Sequence, residues 1–231
     1  MHRRSTGTLT RLLSVVSPGV ARIDAQREPH ADFWDDWNQR AVASTGPLWI
    51  ALGDSTSQGI GSPDPLQGWV PQVLERLRDD TGDSWRVVNL GITGAQFDDI
   101  VEYELPRVEH LRAAGQEPSL MTLLAGSNNL VAPNTWPNAL SELETILDAL
   151  APRSVIGRVG VDHAGNSVMA RSFTRAIEKA AKDGQHELFW PWSWPSRDGI
   201  GDDNYHPGAK GYGYMADIIY PCVRAALGLD D

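Results

Sequence analysis

The chain has 231 residues, 41% hydrophobic and 22% charged, the composition of a globular protein long enough for one domain with a sizeable core. Its formal net charge of -10 argues against a nucleic acid or an anionic membrane surface as partner, because both need basic side chains to neutralise phosphate. The single cysteine, Cys222, excludes an intrachain disulfide and lies in an apolar helical segment, where a buried structural thiol is expected.

Residues 1–28 hold no aromatic side chain and little consistent periodicity, so a partly ordered arm is expected there. His2, Arg3 and Arg4 followed by the stretch 9–20 resemble a secretory leader. Thr10 and Arg11 interrupt that apolar run, Pro18-Gly19 break it and no small-residue cleavage site follows, so a cytoplasmic location is expected. No stretch reaches the ~20 apolar residues of a membrane span. From residue 29 to 231 a single domain is expected, opening with an added helix over 29–45. In it Phe33, Trp34, Trp37 and Val42 recur at roughly helical spacing, and Asp32, Asp35 and Asp36 lie toward the helix start, where the dipole favours acids.

Gly46-Pro47 end that helix and launch an apolar run from Leu48 that stops abruptly at Gly53-Asp54-Ser55, the pattern of a buried strand delivering a small polar residue to a sheet edge. A Gly/Ser/Pro-rich loop follows, then a helix over 68–80 with Trp69, Val73, Leu74 and Leu77 on one face. Further strands are expected at 85–90, 119–124, 154–159 and 187–190, and helices at 96–111 (divided at Pro106), 135–150, 168–182 and 208–227. Strands alternating with helices imply parallel crossovers, hence a flavodoxin-like three-layer α/β/α fold around a five-stranded parallel sheet. Ligands in such sheets bind beyond the carboxyl ends of the strands, where Ser55, Gly91 and Asn128 all fall.

A serine hydroxyl attacks only when a base removes its proton and donors stabilise the developing oxyanion. Asp203-Asn204-Tyr205-His206-Pro207 offers the base. Proline keeps His206 extended and suits the first position of the last helix, while Asp203, three residues back, can reach an imidazole nitrogen and fix its tautomer. Asp54 reads as a turn residue bonding backbone.

These residues carry a resemblance to the SGNH/GDSL hydrolase family. Its blocks match as Gly53-Asp54-Ser55, Asn89-Leu90-Gly91, Gly126-Ser127-Asn128-Asn129 and Asp203-x-x-His206-Pro207, in order, across most of 48–227. The resemblance implies a carboxylic ester hydrolase acting through an acyl-serine intermediate, with Ser55 as nucleophile, His206 as base and Asp203 as its orienter. It also implies an oxyanion hole made of the backbone N–H groups of Ser55 and Gly91 and the side-chain amide of Asn128. The chain departs from the family pattern at Asn129, where an aspartate is usual; an asparagine carbonyl can still accept the backbone N–H bonds that would orient the loop.

Four other positions are candidate substrate contacts: Trp136 beyond the Asn128 loop, His163 in the pair Asp162-His163 after the fourth strand, and Trp192 and Trp194, which with Trp190 sit in a Pro-rich loop before the Asp203/His206 pair. Aromatic rings there either line an acyl or sugar subsite or pack the loop on the sheet. Asp198, Asp202, Asp203 and His206 lack metal-ligand spacing, so neither a metal nor a cofactor is expected. The partner is then a small-molecule ester; a carbohydrate O-acetyl ester is the alternative substrate, and a non-catalytic binding protein on the same fold is the alternative of another class.

Overall fold

The computed structural model describes residues 17–132, 136–159, 168–191, 193 and 197–229. Helices α1 (Pro18–Asp24) and α2 (Arg27–Ala43) lead into strand β1 (Leu48–Gly53) and the single turn α3 (Ser55–Gln58). Then come α4 (Trp69–Thr81) and β2 (Arg86–Asn89). A helical stretch over Phe97–Asp99 widens into a π turn at Ile100–Glu104 before α5 (Leu105–Ala113). The chain continues with β3 (Pro118–Leu124), α6 (Ser127–Val131), α7 (Trp136–Ala149), β4 (Val155–Gly157), α8 (Val168–Gly184), β5 (Glu187–Phe189) and α9 (Ala209–Leu227).

The five strands are parallel in the order β2-β1-β3-β4-β5. All six residues of β1 are buried, as the continuous apolar run requires of a central strand covered on both faces. The chain moves to one side of β1 for β2 and to the other for β3. That reversal opens a crevice beyond the carboxyl ends of β1 and β3, and places Gly53 beside Leu124 at its floor.

Two apolar layers hold the sheet. On one face α5, α7 and α8 bury Val108, Leu143, Ile146, Phe173 and Ile177. On the other, α4 and α9 bury Trp69, Val73, Tyr212, Met215 and Ile219 against Trp49. Each such side chain contributes ~1.5–3 kcal/mol on leaving water. The π turn lies just ahead of Pro106, which has no N–H to give the carbonyl four residues earlier, so the sequence's break at this proline is expressed as a widened turn rather than an interruption.

Several expectations are adjusted. The segment expected as an arm, 1–28, contains α1, and the helix expected over 29–45 runs from Arg27 to Ala43. Val42 is 38% exposed, whereas Trp34 is fully buried. Asn38 pairs with the backbone of Asn89 in both directions, donating to its carbonyl at 2.7 Å and accepting from its N–H at 2.8 Å, so α2 covers the edge strand β2 as another strand would. Pro207 does not open the last helix. It forms an antiparallel bridge with Ile200, and Gly208, in extended conformation, is the N-cap of α9. Cys222 is half-buried, and burial raises its thiol pKa. Among the described residues no helix is long and apolar enough to cross a membrane.

Candidate active site

β1 ends at Gly53 with φ +152°, where a side chain's Cβ would lie 2.3 Å from the Leu124 carbonyl oxygen, so only glycine lets the chain turn there. The turn is fixed by Asp54, whose Oδ1 accepts the Thr56 N–H at 2.9 Å as the cap of α3. Asp54 is the backbone-bonding turn residue the sequence indicated. Ser55 is thereby the first residue of a helical turn, and its N–H has no acceptor within that helix.

The loop between β5 and α9 brings the other two groups. Ser55 Oγ lies 2.9 Å from His206 Nε2, and His206 Nδ1 lies 2.6 Å from Asp203 Oδ2. Asp203 Oδ1 also accepts the N–H groups of Tyr205 at 3.0 Å and His206 at 2.9 Å, so one carboxylate shapes the loop and orients the ring. Burial works against the charge on Asp203, but the hydrogen bonds from His206 and from both backbone groups outweigh it and hold the carboxyl below the usual range. The chain Asp203–His206–Ser55 is an arrangement able to draw a proton from the serine hydroxyl onto Nε2 while Nδ1–H stays with the carboxylate.

These groups border a cavity of about 370 Å³, which Thr93, Gly94, Asn128 and Val131 also line. Asn128 Nδ2 donates to the Ala95 carbonyl at 2.9 Å and lies 3.5 Å from Asp54 Oδ2, at the limit of a hydrogen bond, so one N–H fixes the amide while the other is turned toward the Asp54–Ser55 side. Fully buried Asn129 accepts the Phe97 N–H at 3.1 Å through Oδ1, the loop-orienting bond expected of its carbonyl.

Gly91 is placed differently from expectation. Its N–H is given to Asn89 Oδ1 at 3.1 Å, it is buried, and a Cβ there would stand 2.9 Å from Ser57 Cβ, so this glycine lets β2 pass close beneath α3. Gly94, at φ +79°, lines the cavity instead. Trp136 is also reassigned. Its Nε1 donates to the Asn129 carbonyl at 2.8 Å, which braces the Asn128 loop from behind, and it is not part of the cavity wall. Trp190 lies under the Arg158 guanidinium, 5.0 Å from ring centroid to Cζ, and is likewise outside that wall. The expectations for His163, Trp192 and Trp194 fall outside the described residues. No group of three potential metal ligands occurs among the described residues.

One residue at the site escaped sequence reasoning. Glu104, in the π turn, has no exposure, and its Oε2 accepts the Gly53 N–H at 3.0 Å directly beneath Ser55. Burial, with added repulsion from Asp54 and Asp99, raises its carboxyl well above the usual range, which favours the neutral acid. Ile100, Glu104, Val108 and Leu111 follow one helical face, so an acid interrupting an apolar stripe was the available signal.

A raised carboxyl pKa means the folded state holds this proton more tightly than the unfolded chain. The associated stability is therefore complete below about pH 4, near the ordinary glutamate value, and is lost as pH rises through the folded pKa. Glu104→Gln keeps an acceptor for Gly53 without the ionisation. Its urea midpoint, relative to wild type, is expected to improve steadily from pH 5 to 8, and parallel profiles would contradict this. Glu104→Ala strands the Gly53 N–H and is expected to cost ~1–3 kcal/mol for that group alone.

The family model for the GDSL-like lipase/acylhydrolase family matches residues 51–214. No curated protein matches the chain. Among solved structures, TesA is 21% identical, with a TM-score of 0.63 over 78% of this chain and 99% of its own. The psychrotrophic esterase EstA from Pseudoalteromonas sp., solved inhibited by monoethylphosphonate, is 18% identical, with a TM-score of 0.62 over 78% and 98%. A carbohydrate acetylesterase family member from Sinorhizobium meliloti is 16% identical, with a TM-score of 0.57 over 79% and 99%. These structures share the five-stranded parallel sheet flanked by helices, and the family match spans well over half of the chain: the protein belongs to the GDSL-like lipase/acylhydrolase family.

Proposed function

We propose that the protein hydrolyses carboxylic esters through an acyl-serine intermediate. The observation that carries this reading is the unbroken hydrogen-bonded chain from Asp203 through His206 to Ser55, opening into a cavity of about 370 Å³. Ser55 Oγ attacks the ester carbonyl carbon as its proton passes to His206 Nε2. The tetrahedral adduct collapses, the carbon–oxygen bond to the alcohol breaks, and His206 returns the proton to the departing oxygen. Water then enters, gives its proton to His206, displaces the acyl group as a carboxylic acid and restores the Ser55 hydroxyl.

The oxyanion of each adduct requires donors beside Ser55. We assign the Ser55 N–H, the Asn128 amide and, in place of Gly91, the Gly94 N–H, because Gly94 borders the cavity. Turnover of short p-nitrophenyl esters tests the proposal: wild type is expected to release p-nitrophenol catalytically. Asn128→Ala is expected to lower kcat ~10²- to 10³-fold with KM little changed, the mark of a donor used in the transition state. A wild type without turnover would leave a binding protein on this fold as the better account.

A further inference from the structure

Helices α1 and α2 both precede residue 51, the first that the family model matches, yet α1 forms part of the wall of the Ser55 cavity. Val20 and Ile23, one helical turn apart, present an apolar face there, joined by Ile60, with Asp24 and Arg27 at its polar rim. Ile23 is only 5% exposed, so α1 is fitted to the domain and not lying loosely across it.

The fit is to one side of the site in particular. Gly19 lies so close to the Asp202 carbonyl that a Cβ would stand 2.1 Å from its oxygen, and Arg22 pairs with Asp202 at 2.9 Å. At the junction of α1 and α2, Gln26 Oε1 accepts the Gly61 N–H at 2.8 Å, and Gly61 in turn abuts the His206 side chain and the Pro207 carbonyl. Helix α1 is thus built onto the loop that carries His206. Asn128, Gly94 and Val131 also line the cavity, but none of these seating contacts involves them.

The direction of proton transfer decides what lies against α1. His206 Nε2 must give its proton to the departing alkoxide oxygen, so the alcohol portion of an ester leaves on the His206 side, while the carbonyl oxygen is turned to the Asn128 and Gly94 side. We infer that α1 forms the alcohol-binding subsite of this enzyme, with Val20 and Ile23 selecting esters of apolar alcohols. The inference rests on the proposed esterase reading and goes further by naming which half of the ester the N-terminal helix recognises. Each contact made by one of these branched side chains is worth about tenfold in specificity.

The test uses two ester series with matched leaving-group reactivity: ethyl to hexyl acetate, varying the alcohol, and ethyl acetate to ethyl hexanoate, varying the acyl group. In wild type kcat/KM is expected to rise with alcohol length. Ile23→Ala and Val20→Ser are each expected to lower the ratio of kcat/KM for hexyl over ethyl acetate about tenfold, while the ethyl hexanoate to ethyl acetate ratio keeps its wild-type value. Val20 is only partly buried, so its variant guards against misfolding of α1 in Ile23→Ala. If wild type cleaves ethyl acetate but the hexyl/ethyl ratio is unchanged in Val20→Ser, or if the acyl series shifts instead, the subsite assignment falls and the esterase reading stands. If wild type cleaves no ester of either series, both fall.

Discussion

Ser55→Ala is expected to reduce ester turnover by ~10⁶-fold, to the level left by binding and oxyanion donors alone. The size follows from the arrangement: in the proposed reaction the hydroxyl at 2.9 Å from His206 Nε2 is the atom that forms the bond to the acyl carbon. Asp54 is buried and committed to capping α3, and the one thiol, Cys222, lies in α9, outside the cavity wall. The change removes a single oxygen from a residue 4% exposed whose backbone is set by the Asp54 cap and the Gly53 turn, so the urea midpoint is expected to move little. A fluorophosphonate probe gives the covalent counterpart. It is expected to label wild type once, at Ser55, and to leave Ser55→Ala unlabelled. Turnover of the variant within tenfold of wild type, or equal labelling of both proteins, would place the nucleophile elsewhere.

The alternation of strands and helices and the Ser55, Asp203, His206 alignment were legible because each depends on short-range chemistry. A short continuous apolar run stopped by Gly53 fits a buried strand with a turn at its end, and Asp203 reaches His206 across three residues with little need of the rest of the fold. Asn129 was legible for the same reason, since an amide carbonyl accepts one N–H wherever the Phe97 backbone presents it.

What was not legible depends on the direction of a bond or on distant packing. Gly91 and Gly94 stand three residues apart in one loop. Only the fold shows that the Gly91 N–H is taken by Asn89 while Gly94 lines the cavity. Trp136 sits near the site in sequence and in space, but its indole N–H turns to Asn129, away from the cleft. Helix α1 has only seven residues and its apolar positions, Val20 and Ile23, are too few to register as periodicity. It packs through Ile23 and contacts Asp202, some 180 residues away. Glu104 escaped notice although it breaks an apolar stripe, because its reason, the Gly53 N–H, lies 51 residues earlier in the chain.

The second large effect is expected at Asp203. Asp203→Asn is near-isosteric, and its carbonyl oxygen can go on accepting the Tyr205 and His206 N–H groups, so the loop and the placement of the ring should persist. What disappears is the negative charge 2.6 Å from His206 Nδ1, which in the proposed reaction selects the tautomer that leaves Nε2 open and stabilises the imidazolium formed when Ser55 gives up its proton. The expected loss is ~10⁴-fold in kcat at neutral pH, with KM nearly unchanged. Stability offers an independent reading with a definite sign. Because the folded carboxyl pKa is depressed, its contribution is present above the ordinary aspartate value, near pH 4, and is lost as pH falls through the folded pKa. Wild type should therefore exceed Asp203→Asn in urea midpoint at pH 7 and lose that advantage on acidification, the reverse of the trend expected for Glu104. Asp203→Ala, which also strands two backbone donors, should be the less stable of the two variants at every pH. An Asp203→Asn protein that keeps most of its turnover would show that His206 is held by the loop alone, and that the carboxylate serves the fold and not the reaction.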